Sequence, residues 1–218
     1  MATIKIFIAS SEELDYERQV IGNLVRRLDD IYEAHDTRIK LFEWEDFDAA
    51  YNDKRKQDEY NEKVRESDIF LALFHLRGGK FTIEEFNEAW EKQTHNSNFK
   101  AYVYFRELEN GEVASDELKK FQEQLKTKKH PYVRTYANRD SLKLQLVAQL
   151  LCAYPGLRDA VSPTNDGDWI MLGGQHIARV SELPEGWEEV VGALKKNGNL
   201  ERANNLLDNK LANTDVNK

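Results

Sequence analysis

The chain is 218 residues long, 40% hydrophobic and 32% charged, with a formal net charge of −8, the balance of a charged globular protein with room for one good-sized domain and an appendage. That acidity argues against nucleic acid as the main partner, because phosphate backbones demand a basic surface, and a single cysteine, Cys152, excludes an intrachain disulfide framework. No stretch approaches the roughly 20 apolar residues that span a bilayer, and the start Met1-Ala2-Thr3-Ile4-Lys5 lacks the basic-then-apolar pattern of a signal peptide, so a cytoplasmic protein without membrane contact is expected.

Ile4-Lys5-Ile6-Phe7-Ile8-Ala9 reads as a strand feeding a helix N-cap at Ser10, which has capping-box spacing to Glu13. The helix carries Leu14, Ile21, Leu24, Val25, Leu28 and Ile31 at spacings of three, four and seven, an inward stripe opposite charged residues. Arg38-Ile39-Lys40-Leu41-Phe42-Glu43-Trp44 is the second strand. The polar segment 45–59 reads as an exposed loop leading into a helix near 60–64. Asp68-Ile69-Phe70-Leu71-Ala72-Leu73-Phe74 is the most apolar strand, the expected centre of a parallel sheet buried on both faces.

Gly78-Gly79 breaks that strand, and Thr82 opens a helix bearing Ile83, Phe86, Ala89 and Trp90. Ala101-Tyr102-Val103-Tyr104-Phe105 is a fourth strand, Asn110-Gly111 a turn, and Ser115 caps a helix with Leu118, Phe121 and Leu125 on one side. Tyr132-Val133-Arg134-Thr135-Tyr136 is a fifth strand. Asp140 caps a last helix with Leu142, Leu146, Val147, Leu150 and Leu151, stopped by Pro155-Gly156; Cys152 in its apolar run is expected buried and inert. Five strands alternating with five helices predict an α/β fold over residues 1–155, a three-layer sandwich around a five-stranded parallel sheet.

Residues 156–218 read as a linker, a β-hairpin and a helical C-terminal extension. The hairpin is Trp169-Ile170-Met171-Leu172 and the run 175–180, joined by Gly173-Gly174, whose glycines supply the positive φ angles of a two-residue turn. A helix is expected around 187–195 and another around 200–211.

Ligands of open parallel α/β sheets bind beyond the carboxyl ends of the strands. This singles out Ser10 and Ser11, Trp44, Glu45 and Asp46, His75 to Lys80, and Arg106. Glu85, in the first turn of the helix after the third strand, is expected to face the same cleft. Its competing role is structural: Thr82-x-x-Glu85 has capping-box spacing, so the carboxylate could simply bond the Thr82 backbone N–H. Glu84 and Glu88 are the fallback carboxylates. Trp44 could stack on a base or end its strand half-buried, His75 could be a local hydrogen-bonder, and Lys54-Arg55-Lys56 a solvated charge run.

Three segments in order resemble TIR and TIR-like domains: Lys5-Ile6-Phe7-Ile8-Ala9-Ser10-Ser11, then Trp44-Glu45-Asp46-Phe47 with the polar loop and the run 60–74, then Phe81-Thr82-Ile83-Glu84-Glu85-Phe86. The resemblance spans residues 1–155 and is closest to bacterial TIR-like modules at the N-terminus of multidomain defence proteins. It implies a flavodoxin-like fold, NAD+ as a substrate with no separate cofactor or metal, and Glu85 as the catalytic glutamate of an aromatic-x-x-x-Glu signature. Ser10, Ser11, Trp44, Glu45, Asp46, His75, Lys80 and Phe81 would bind substrate, although Phe81 stands where many members carry tryptophan. The resemblance further implies self-association through TIR surfaces and the 45–59 loop, and a downstream or partner sensor domain. Two alternatives remain: a non-catalytic TIR-like interaction module, and an enzyme of the nucleoside deoxyribosyltransferase type, which also uses a glutamate on this fold.

Overall fold

The computed structural model of the chain describes residues 2–42, 56–127, 133–154, 157, 161–194, 201–203 and 205–206. Trp44, Glu45, Asp46, most of the 45–59 loop, Lys54-Arg55 and Pro155-Gly156 lie outside the described residues. The chain divides into two compact units, 1–133 and 134–218, with the division falling inside the fifth strand.

The first unit runs β1 (Ala2–Ser10), α1 (Asp15–Glu33), β2 (Thr37–Phe42), α2 (Lys56–Glu66), β3 (Ile69–Phe74), α3 (Lys80–His95), β4 (Lys100–Arg106) and α4 (Asp116–Thr127), then enters β5 (Val133–Tyr136). The strands form a five-stranded parallel sheet of order β2-β1-β3-β4-β5. Strand β1 pairs in parallel with both β2 and β3, so the winding direction reverses beside it. This is the flavodoxin-type order, which opens a crevice at the carboxyl ends of β1 and β3.

Every residue of β3 is buried, as its unbroken apolar run predicts. On one face of the sheet Phe7, Phe70 and Phe74 pack with Phe86 of α3 and Phe121 of α4. The rings of Phe74 and Phe121 lie 5.0 Å apart, and Phe86 meets Phe121 edge-on at 5.1 Å. Each phenylalanine buried this fully contributes roughly 2 to 3 kcal/mol. The other face buries Ile6, Ile8 and Leu71, with α1 supplying Ile21, Leu24, Val25 and Leu28. Tyr32, not the half-buried Ile31, completes the α1 stripe.

Two expected helix starts are corrected. Ser10 is the last residue of β1 and caps nothing; a 3₁₀ turn over Glu12–Leu14 intervenes before α1. Glu13 instead accepts hydrogen bonds from the Leu76 and Arg77 amides at 3.0 and 2.9 Å, so the Ser10/Glu13 capping box gives way to a tie between two loops. Helix α3 begins at Lys80, not Thr82, because Gly79 takes φ +64° and turns the chain straight into the helix. The cap expected at Ser115 is present, its Oγ accepting from Leu118 N at 3.2 Å.

The second unit contains α5 (Arg139–Ala153), a three-stranded antiparallel sheet of β6 (Ser162–Pro163), β7 (Trp169–Leu172) and β8 (Gln175–Arg179), and α6 (Trp187–Leu194). The cap of α5 is Asn138, which exchanges hydrogen bonds with Ser141 in a capping box. Asp140, the expected cap, accepts from Arg179 N at 3.0 Å and pairs with Lys143 at 2.7 Å. Gly173 and Gly174 take φ +53° and +78°, the double left-handed turn expected of the hairpin. Strand β6 falls in the stretch read as linker; two residues ending in proline, confined to an edge, leave almost no pattern to read. Ile170, Leu172 and Ile177 of the hairpin are buried, as are Val190, Val191 and Leu194 of α6. Cys152 is half-buried rather than fully enclosed. No helix among the described residues is long and apolar enough to cross a membrane.

Candidate active site

At the carboxyl end of β1 lies a cleft of about 650 Å³, lined by Phe7, Ile8, Ala9, Ser10, Glu12, Asp15, Arg18, Tyr60, Phe81, Thr82 and Glu85. It occupies the place that the reversal of strand order beside β1 opens to ligands. The end of β1 makes the floor, the start of α1 one side, and α2 with α3 the other.

Glu85 lies in the second turn of α3, one turn deeper than its spacing from Thr82 suggests. The helix N-cap is Gly79, and no side chain caps it. Thr82 is therefore already inside the helix, and the capping-box reading of Thr82 and Glu85 fails. The Glu85 residue is 7% exposed and lines the cleft. Its neighbours on the helix turn elsewhere: Glu84 Oε1 meets Asn61 Nδ2 at 3.4 Å, and Glu88 Oε2 meets Arg65 Nη1 at 2.8 Å.

Across the cleft, Arg18 is held almost out of solvent, its side chain 5% exposed. Its Nη1 donates to Ser10 Oγ at 2.6 Å and to the Ser11 carbonyl at 3.3 Å. Its Nη2 donates to Asp15 Oδ1 at 2.8 Å, while Gln19 Nε2 donates to Asp15 Oδ2 at 2.8 Å. Among the described lining residues three carboxylates (Glu12, Asp15, Glu85) face one guanidinium, a formal excess of two negative charges. Such a lining favours a cationic or hydroxyl-rich group over a phosphate.

Of the residues singled out by their position after a strand the cleft gathers Ser10, and of those added by the resemblance it gathers Phe81, together with Glu85. Phe81 is 55% exposed, an aromatic face at the cleft wall. Ser11, His75 and Lys80 are not on the wall. Ser11 Oγ donates to Glu13 Oε1 at 3.1 Å. His75 is buried and bonded to Glu112 Oε2 at 3.0 Å. The Glu109 N–H, and then His75, hold the Glu112 carboxyl below its ordinary range. Lys80 is exposed at the start of α3. Arg106 pairs with Glu17 at 3.3 Å and Glu109 at 2.9 Å.

Glu12, Asp15, Arg18, Tyr60 and Thr82 line the cleft without having been singled out as ligand-facing. Arg18 left a trace in the pattern: four residues after Leu14 and three before Ile21, it sits on the inward stripe of α1, where a charge requires a reason.

No family profile matches the chain, and no curated protein matches it. Among solved structures it is similar to one described as the crystal structure of the RPS4 and RRS1 TIR domain heterodimer, with 11% identity and a TM-score of 0.44. That match covers 70% of this chain and 98% of the other.

Proposed function

We propose that this chain is a TIR-type NAD+ glycohydrolase, cleaving the bond between nicotinamide and ribose as an effector of bacterial antiviral immunity. The observation that carries the reading is the Glu85 carboxylate on the cleft wall, buried and released from the capping role that its sequence spacing offered it. Residues 1–155 would be the catalytic module and 156–218 its extension, acting with a downstream or partner sensor domain.

The chemistry asks for little more than this carboxylate. When the bond from ribose C1′ to the pyridinium nitrogen breaks, its electron pair passes to the ring, which leaves as neutral nicotinamide without a general acid. Positive charge develops on C1′ and the ring oxygen of the ribose. A carboxylate beside that centre stabilises it, or attacks C1′ to form a transient ester. Water then adds at C1′ and one proton is released, giving ADP-ribose. Tyr60 and Phe81 offer flat apolar surfaces for the rings, and the acidic lining suits the cationic end of NAD+. Activity would be reached on self-assembly, with the 45–59 loop of one copy completing the cleft of the next.

The test is nicotinamide release at rising protein concentration and under forced clustering, parent against Glu85→Gln. Release that climbs with assembly and collapses in the variant supports the reading. Equal release from both proteins removes Glu85 from the mechanism.

A further inference from the structure

Ser10 ends β1 on the floor of the cleft, and its Oγ lies 2.6 Å from Arg18 Nη1. A guanidinium carries five N–H donors and no acceptor, so in this contact the serine hydroxyl can only accept. The hydroxyl has a single proton of its own, which must therefore point elsewhere. Among the described residues no acceptor takes it, and the open side of Ser10 is the cleft. Arg18 cannot swing away to relax this arrangement, because Asp15 Oδ1 at 2.8 Å and the Ser11 carbonyl at 3.3 Å hold the same guanidinium. Ser10 thus offers the ligand a donor of fixed polarity, strengthened by its charged neighbour.

The surroundings decide what that donor meets. Glu12, Asp15 and Glu85 on the same lining are acceptors when ionised. A phosphate oxygen would accept from Ser10 but would face carboxylates of its own sign. A sugar hydroxyl both accepts from Ser10 and donates to a carboxylate, and so satisfies both sides at once. We propose that Ser10 determines specificity by donating to a ribose hydroxyl of the ligand, and that Arg18 is the positioning residue that sets the direction of the Ser10 proton. The floor of the cleft reads the sugar next to the cationic ring, and the pyrophosphate lies outside it. The inference rests on the NAD+ reading for which ribose is bound, but hydroxyl recognition stands or falls by itself.

Binding of nicotinamide riboside and of its 2′-deoxy and 3′-deoxy analogues to the parent, Ser10→Ala and Arg18→Lys proteins tests this by calorimetry or NMR titration. The parent is expected to prefer the riboside over one of the two deoxy analogues by about tenfold, the worth of one good hydrogen bond. Ser10→Ala, a small change at a half-buried site, abolishes that preference. Arg18→Lys keeps the buried charge but loses the fork that spans Ser10 and Asp15; it also abolishes the preference, and adding Ser10→Ala to it changes nothing more. Ser10→Ala with the parent's preference intact overturns the proposal, and Arg18→Lys with it intact overturns the positioning role. A protein that shows the Ser10-dependent preference yet releases no nicotinamide keeps this inference and loses the glycohydrolase. One that releases nicotinamide with no Ser10-dependent preference does the reverse, and a parent that binds no riboside loses this inference, the glycohydrolase being judged by nicotinamide release alone.

Discussion

Replacing Glu85 by glutamine preserves the size of the side chain and removes its charge, which makes it the cleanest perturbation of the cleft. The residue is 7% exposed, so its field is poorly screened by bulk water. With an effective dielectric constant of about 20, unit charges about 4 Å apart interact by roughly 4 kcal/mol. An amide dipole retains part of that stabilisation, so about 3 to 4 kcal/mol is lost from the oxocarbenium-like transition state, a fall of roughly 10² to 10³ in kcat. Since Gly79 begins the helix with no side-chain cap, the substitution removes no capping bond. The assay pairs nicotinamide release from assembled protein with thermal unfolding of the same samples. The reasoning is refuted by a Glu85→Gln protein that turns over within twofold of the parent.

Phe81→Ala should raise KM for NAD+ by about tenfold with an unchanged melting temperature, since the ring is 55% exposed on the cleft wall and buries little of the core; steady-state kinetics beside thermal shift checks this. Gly79→Ala forces a side chain into φ +64° and brings its Cβ to 3.1 Å from Thr82 Oγ1. Denaturant unfolding should show a loss of about 1 to 2 kcal/mol. Asp29 accepts from Arg38 Nε and Nη2 at 2.8 and 2.5 Å and from Ile39 N at 2.7 Å, and the Arg38 hydrogen bonds, ahead of the Ile39 amide, hold its carboxyl below the ordinary range. A depressed folded value means the stabilisation is whole above the unfolded carboxyl's pH of about 3.9 and drains away as pH falls through the folded one. Asp29→Asn should therefore melt a few degrees lower at neutral pH and show a shallower loss of stability below about pH 4, followed by circular dichroism.

What the sequence made legible was whatever depends on runs and periods. The six apolar residues of β3 could hardly be anything but a central strand, and the structure buries all of them. Starts of helices were harder, because several residues compete for one cap and the winner is chosen by backbone and by distant partners. Thr82 and Glu85 have capping-box spacing, yet Gly79 enters the helix one turn sooner by a φ that only the folded loop reveals. Asn138 and Asp140 are both good caps; Asn138 takes the position with Ser141, and Asp140 is drawn to the backbone of Arg179, 39 residues away. In the cleft, Glu85 and Phe81 were visible through a local signature. Arg18 showed only as a charge on the inward stripe of α1, and Asp15 not at all, because their meaning depends on Arg18 reaching Ser10 at the end of another element.

The orientation of Glu85 follows from residues that do not line the cleft. Glu84 and Glu88 are four apart on α3 and so share one face, while Glu85 projects about 100° around the helix from Glu84. Their partners Asn61 and Arg65 are likewise four apart on α2. Two matched pairs along adjoining helices resist rotation of α3 about its own axis, since turning it to carry Glu85 away from the cleft would break both. A third link reinforces them: Lys92, farther along α3, donates to the Arg65 carbonyl at 2.7 Å and to that of Ser67 just after α2, and its ammonium lies 4.1 Å from the Phe99 ring centre. Burial of that ammonium pushes the Lys92 pKa down, so the clamp is formed at a desolvation cost. Helix α2 thus contributes to the cleft twice, through Tyr60 on its wall and through Asn61 and Arg65, which set the rotation of the helix carrying the carboxylate. The three glutamates of this stretch are near-equivalent in sequence; the helix rotation set by α2 pairs two of them with Asn61 and Arg65 and places the third on the lining of the cleft.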